Sequence, residues 1–166
     1  NPAFSALCRR LWQNEILPTL PAPEGEDLPA YCESLLDRYR NPAIRHRTWQ
    51  IAMDGSKKLP QRILGTVRDN LAAGRLPAGL CLAIAGWMRY AGGIDEAGTA
   101  IDVRDPLADE MRAAAATADP VAAFLAMDSV FGADLASHGD LVAPIRSAHD
   151  ALASHGAAVA VRVFAS

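Results

Sequence analysis

Six side chains that carry or can take a positive charge crowd one stretch, Asn41 to Ile63 (NPAIRHRTWQIAMDGSKKLPQRI): Arg45, His46, Arg47, Lys57, Lys58 and Arg62. Ammonium and guanidinium groups donate charge-assisted hydrogen bonds, so this cluster fits an anionic or polyhydroxylated partner. Asn41-Pro42 reads as a helix cap followed by a first-turn proline. Ile44, Thr48 and Ile51 then recur at helical spacing, as do Arg45, Trp49 and Ala52. Gly55 is expected to end that helix in a left-handed cap, and Pro60 to restart a helix with Arg62 in its first turn. Lys57, Lys58 and Arg62 would then sit near a helix N-terminus, where the dipole disfavours cations. That local cost points to a bound partner. The competing reading is a solvated basic face.

Other chemistries find little support. The glycine pairs near Gly92 and Gly98 lack a preceding strand and the GxGxxG spacing of a dinucleotide turn. There is no P-loop and no GxSxG elbow. His138, His149 and His155 follow no metal-ligand pattern and are read as surface groups. Asp95, Glu96, Asp102 and Asp105 follow no EF-hand register and are read as an acid-lined loop, so no metal is expected. The three cysteines, Cys8, Cys32 and Cys81, are far apart and odd in number, which supports neither a disulfide framework nor a zinc site. A reduced, cytoplasmic setting is expected. Taken alone, these residues form no complete catalytic machine.

The elements that position the cluster are helical. The chain of 166 residues, with 51% hydrophobic and 21% charged residues, suits one soluble domain. Its net charge of -3 argues against a general nucleic-acid binder. Asn1-Pro2 opens a helix through Phe4, Leu7, Cys8, Leu11 and Trp12 to about Gln13 or Asn14; prolines make Leu17 to Leu28 a loop. Asp27 caps a second helix with Tyr31, Leu35, Leu36 and Tyr39 inward. Leu80 to Met88 is apolar on every face, the pattern of a helix at the centre of a bundle. The whole segment Ala78 to Ala91 is too short to span a bilayer comfortably. Asp105-Pro106 and Asp119-Pro120 each start a further helix, another runs from about Asp140 to Ser154, and Val159, Val161 and Val163 alternate as in an extended tail. The expected architecture is all-α, with about seven or eight helices. The opening at Asn1 without a methionine is how an excised piece of a longer protein begins, although trimming of a short leader would look the same.

Two long stretches, RNPAIRHRTWQIAMDGSKKLPQRI and AGWMRYAGGIDEAGTAIDVRDP, resemble the long-chain mannitol dehydrogenase family, and within it the fructuronate reductase (D-mannonate oxidoreductase) branch. The segment EILPTLPAPEGEDLPAYCESLLDRYRNP is similar to the start of the same region. The resemblance runs from Asn1 to at least Pro106 and more loosely to the C-terminus. It implies a helical domain of the 6-phosphogluconate dehydrogenase C-terminal type, preceded by a Rossmann-type domain that binds NAD, with substrate between the two. The family's catalytic lysine belongs to a Lys-x4-Asn-x2-His motif that has no match in this chain. Residues 1–166 are thus expected to be the substrate domain without catalytic residues or a cofactor site of its own, and inactive alone.

By the same resemblance, Lys58 matches a lysine that binds substrate hydroxyls or carboxylate. Gln50 falls where mannitol-type members carry a substrate-binding arginine, a departure from simple mannitol specificity. Arg45, His46 and Arg62 complete the expected substrate-binding set, for a hexuronate or a polyol. Two alternatives remain beside the hexuronate reductase: the same domain of a mannitol or other polyol 2-dehydrogenase, and a free-standing helical module for an anionic ligand. A DNA-binding helix-turn-helix is disfavoured by the acidic balance. No nucleic-acid or membrane partner is expected.

Overall fold

A computed structural model describes residues 2–21, 23–43 and 47–165. Among them the secondary structure is helical, apart from one isolated bridge between Ile94 and Ala100. The chain runs α1 (Pro2–Leu11), α2 (Leu28–Arg40), α3 (Thr48–Ala52), α4 (Gly55–Leu59), α5 (Gly65–Ala72) and α6 (Ala78–Ala91). It continues through α7 (Ala108–Ala115), α8 (Pro120–Leu125), α9 (Asp128–Ala136), α10 (Gly139–His155) and α11 (Ala157–Ala165). The all-α expectation holds, with the basic region cut into shorter pieces than its spacing suggested. No helix among the described residues is long and apolar enough to cross a membrane.

The apolar run does form the central helix. Cys81, Ile84 and Met88 of α6 join a core with Val67, Met111, Phe124, Phe131, Leu141 and Ile145. Leu82 and Ala85 turn to a second cluster with Leu7, Ala148, Leu152 and Ala160. Serving two cores at once is why α6 has no polar face. Burial in the first pushes the Cys81 thiol up to about 12, with the negative Glu15 adding to the effect.

The N-terminus of α6 is held from far away in sequence. Pro77 precedes it and offers no side-chain cap. Instead Glu15 accepts from the N–H of Gly79 and of Leu80, both at 2.8 Å. Glu15 is only 6% exposed and lies in the π-turn Trp12–Ile16 that prolongs α1. Asn70, fully buried, donates to the Glu15 carbonyl (2.6 Å) and to that of Thr66 (2.8 Å), and accepts from Arg75 Nε (3.0 Å). These contacts tie α1, α5 and α6 together.

Three expectations are corrected. Tyr31 and Tyr39 are exposed, and the inner face of α2 is Cys32 and Leu36, although Asp27 does cap it through Ala30 N–H at 2.9 Å. Asn41 ends α2 rather than opening a helix: it is extended before Pro42, as sterics require, and its Oδ1 accepts from Ala43 N–H at 2.9 Å. The valine tail is α11, not an extended segment. Without a neighbouring strand its backbone must satisfy itself, which a helix does. Ala160, Val161 and Phe164 pack inward, Glu96 accepts from Ala157 N–H at 2.6 Å, and Arg10 reaches the Phe164 carbonyl at 3.0 Å.

Arg68 joins α5 to α9. Its Nε and Nη2 bond both oxygens of Asp134 (2.6 and 2.9 Å), and Nη2 also reaches the Phe131 carbonyl (2.9 Å). This clamp spans Gly132, whose φ of 71° breaks α9 and requires a glycine. Arg68 holds the Asp134 carboxyl down at about 2.

Replacing Glu15 with Gln should lower unfolding free energy by about 2 kcal/mol or more, because a buried charged acceptor for two N–H groups is lost. Glu33→Gln, which breaks only the exposed pair with Arg9, should barely move the urea midpoint. Because the folded-state value of Asp134 is depressed, its contribution is complete above the ordinary carboxylate range and fades as pH falls toward about 2. Asp134→Asn should therefore be less stable than the parent at neutral pH. The two denaturation curves should converge below about pH 2.

Candidate functional site: the basic turn

The basic turn is built where α3 meets α4. Asp54, between them, adopts a left-handed conformation (φ 56°, ψ 33°), and its carbonyl accepts from the N–H of Lys57 (3.1 Å) and Lys58 (3.0 Å). Gly55, expected as the left-handed cap, is the first residue of α4 instead. A side chain there would run into the Trp87 indole. The glycine is needed for close approach, and the strained position falls one residue earlier, on an aspartate that tolerates it. Trp87 in turn packs edge-on to Phe124, ring centroids 5.5 Å apart. The turn therefore rests on the main core.

A second clamp comes from the loop after α6. Asp105 Oδ2 accepts from Ser56 N–H (2.8 Å), while Oδ1 accepts from the Ser56 hydroxyl (2.6 Å) and Leu107 N–H (2.9 Å). One carboxylate thus caps the start of α4 and the approach to α7, so the helix expected at Asp105-Pro106 begins slightly later, at Ala108. The neighbouring Arg104 carbonyl accepts from Asp54 N–H at 2.9 Å. Arg104's guanidinium lies over the Trp49 ring, 4.3 Å from its centroid, and its Nε donates to Asp102 at 2.8 Å. Burial, followed by the charges of Asp102 and Asp105, pushes the Tyr90 phenol up.

Lys58 points back across the joint and donates to the Ile51 carbonyl in the last turn of α3, at 3.0 Å. The cation near one helix N-terminus is thereby placed at the C-terminal end of another, where a positive charge is favoured. This contact brings Lys58 beside the residue next to Gln50. Gln50 and Arg62 are exposed, and no described hydrogen bond or ion pair engages either side chain. Arg45 and His46 lie outside the described residues. Reading by spacing missed Ser56, Arg104 and Asp105 as parts of this turn. Their contacts join segments about fifty positions apart.

The remaining groups are dispersed. A cavity of about 440 Å³ is lined by Arg89, Arg112, His149 and apolar residues of α6 and α8. His149 is half-buried rather than a plain surface group; burial, then the charge of Arg89, pushes it down. His138 likewise has its Nδ1 buried, without a partner among the described residues. The acidic loop folds on itself: Asp95 Oδ1 accepts from the N–H of Ala97 (2.9 Å) and Thr99 (2.7 Å). Among the described residues, no group of three or more His, Cys, Asp or Glu could hold a metal ion.

The chain is similar to known proteins over nearly its whole length. D-mannonate oxidoreductase of Escherichia coli (strain K12) is 47% identical over 160 residues, which cover 95% of this chain and 33% of that protein. Mannitol 2-dehydrogenase of Phaeosphaeria nodorum is 33% identical over 165 residues, covering 99% of this chain and 29% of its own length. Among solved structures, the Pseudomonas fluorescens mannitol 2-dehydrogenase ternary complex with NAD and D-mannitol superposes with a TM-score of 0.94 at 27% identity, covering 99% of this chain and 34% of that one. The chain spans about a third of the length of these relatives. The family model for the mannitol dehydrogenase C-terminal domain matches residues 1–153, and the chain belongs to that family.

Proposed function

We propose that this chain is the substrate-binding domain of an NAD-dependent oxidoreductase that interconverts D-fructuronate and D-mannonate. The observation that carries the reading is the anchored cationic turn at Lys58, in a chain 47% identical to a D-mannonate oxidoreductase. An ammonium has three donors. Lys58 spends one on Ile51, which fixes its direction, and keeps two for a substrate hydroxyl or carboxylate. The same reading assigns further substrate donors to Gln50, Arg62, Arg45 and His46, as the family resemblance implies, with Gln50 standing where mannitol-type members carry an arginine.

The relatives are about three times longer than this chain, which supports a preceding Rossmann-type domain as its partner. That domain would hold NAD, since no GxGxxG strand–turn–helix occurs here. When bound, NAD accepts or donates the hydride. The residues of this chain bind and orient the sugar acid and leave proton transfer to a group outside it. A second reading, a mannitol or other polyol 2-dehydrogenase, is favoured by the 33% identical relative and by the solved complex with D-mannitol.

Following nicotinamide absorbance, the full-length protein should turn over fructuronate in preference to fructose, and the reverse preference would establish the polyol reading. Lys58→Ala should raise KM for fructuronate about tenfold or more, because a charge-assisted donor is lost. Gln50→Arg should shift the ratio of kcat/KM toward fructose.

A further inference from the structure

Arg104 lies next to the proposed sugar-acid site and is held at three points. Its carbonyl binds Asp54, at the head of the turn that carries Lys58. Its guanidinium stacks on Trp49, the residue before Gln50, with its centre 4.3 Å from the ring centroid. Its Nε is tied to Asp102 at 2.8 Å. These contacts leave the terminal nitrogens Nη1 and Nη2 without a hydrogen-bond partner among the described residues, on a side chain about half exposed (54%). A guanidinium whose plane and Nε are fixed presents the edge that binds a carboxylate bidentately.

We propose that Arg104 receives the substrate carboxylate and so selects a sugar acid over a neutral sugar; the inference rests on the hexuronate reading above. On α3, Gln50 is neutral. Arg104 carries a guanidinium to the Trp49 side of the same helix from the loop after α6. A hydroxyl accepts a single weaker bond from such an edge, whereas a carboxylate accepts two and is attracted by the charge. The exposed Asp102 sets the direction of the fork without occupying it. The competing role for Arg104 is a brace for Trp49.

Initial rates of the full-length protein with fructuronate and with fructose separate these roles. Arg104→Gln should raise KM for fructuronate about tenfold or more, leave kcat within about threefold and leave KM for fructose unchanged. Arg104→Lys keeps the positive charge without the planar fork, and its KM should fall between parent and Arg104→Gln. An equal rise for both sugars, with a lower melting temperature, assigns Arg104 to bracing and overturns the proposal. So does a fructuronate KM indifferent to Arg104 while the parent enzyme remains active on fructuronate. A parent enzyme that turns over fructose but not fructuronate overturns the hexuronate reading itself, and the role of Arg104 with it.

Discussion

The buried carboxylate of Glu15 at the N-terminus of α6 is the constraint on which the rest depends. A helix apolar on every face cannot supply its own polar cap, and Pro77 offers none. The free N–H groups of Gly79 and Leu80 would otherwise enter the core unsatisfied, at a cost of about 1–3 kcal/mol each. Glu15 satisfies both and places negative charge at the positive end of the helix dipole. Asn70 then fixes the backbone that carries Glu15. With its start defined in this way, α6 can divide its faces between two apolar clusters and hold Trp87 at a set height.

From Trp87 the constraint passes to the basic turn. Gly55 lies directly against the indole, so the first turn of α4 is pinned to the core, and Gly55, Ser56 and Leu59 are buried while Lys57 faces solvent. Asp105 closes the turn from the other side by taking both the N–H and the hydroxyl of Ser56. Lys58 is thereby directed at the end of α3, and Arg104 at Trp49. Lys58 has no carboxylate partner among the described residues, and the carbonyl at the end of α3 takes part of that role, whereas Arg104 pairs with Asp102 and lies on an aromatic face.

Features that depend on near neighbours were legible in the sequence. The Asp27 and Asp119 caps, the span of α6 and the self-bonded acidic loop each follow from residues within a few positions. Features set by distant contacts were not. Gly55 looks like a helix end until Trp87 is seen beside it, and Asn41-Pro42 looks like a helix start when it closes the helix before. The valine tail alternates like a strand, yet Ala160, Val161 and Phe164 define the face that packs. For the site, Lys58 and Gln50 could be named from resemblance to a family. Ser56, Arg104 and Asp105 emerged only when the fold brought two long stretches together.

The two stretches that carry the family resemblance are the ones that meet at this turn. The first supplies the donors, and the second supplies the carboxylate and the backbone carbonyl that hold them in place. The division also bears on the chemistry. Groups that grip the non-reacting parts of a sugar act alike on ground state and transition state, so they govern mainly KM unless their binding orients the reacting carbon. On the proposed function, the anchored donors of this chain do that part of the work. On that proposal, the choice between a sugar acid and a neutral sugar is set in this domain, at Gln50 of α3 and Arg104 of the loop after α6, apart from the hydride-transfer machinery.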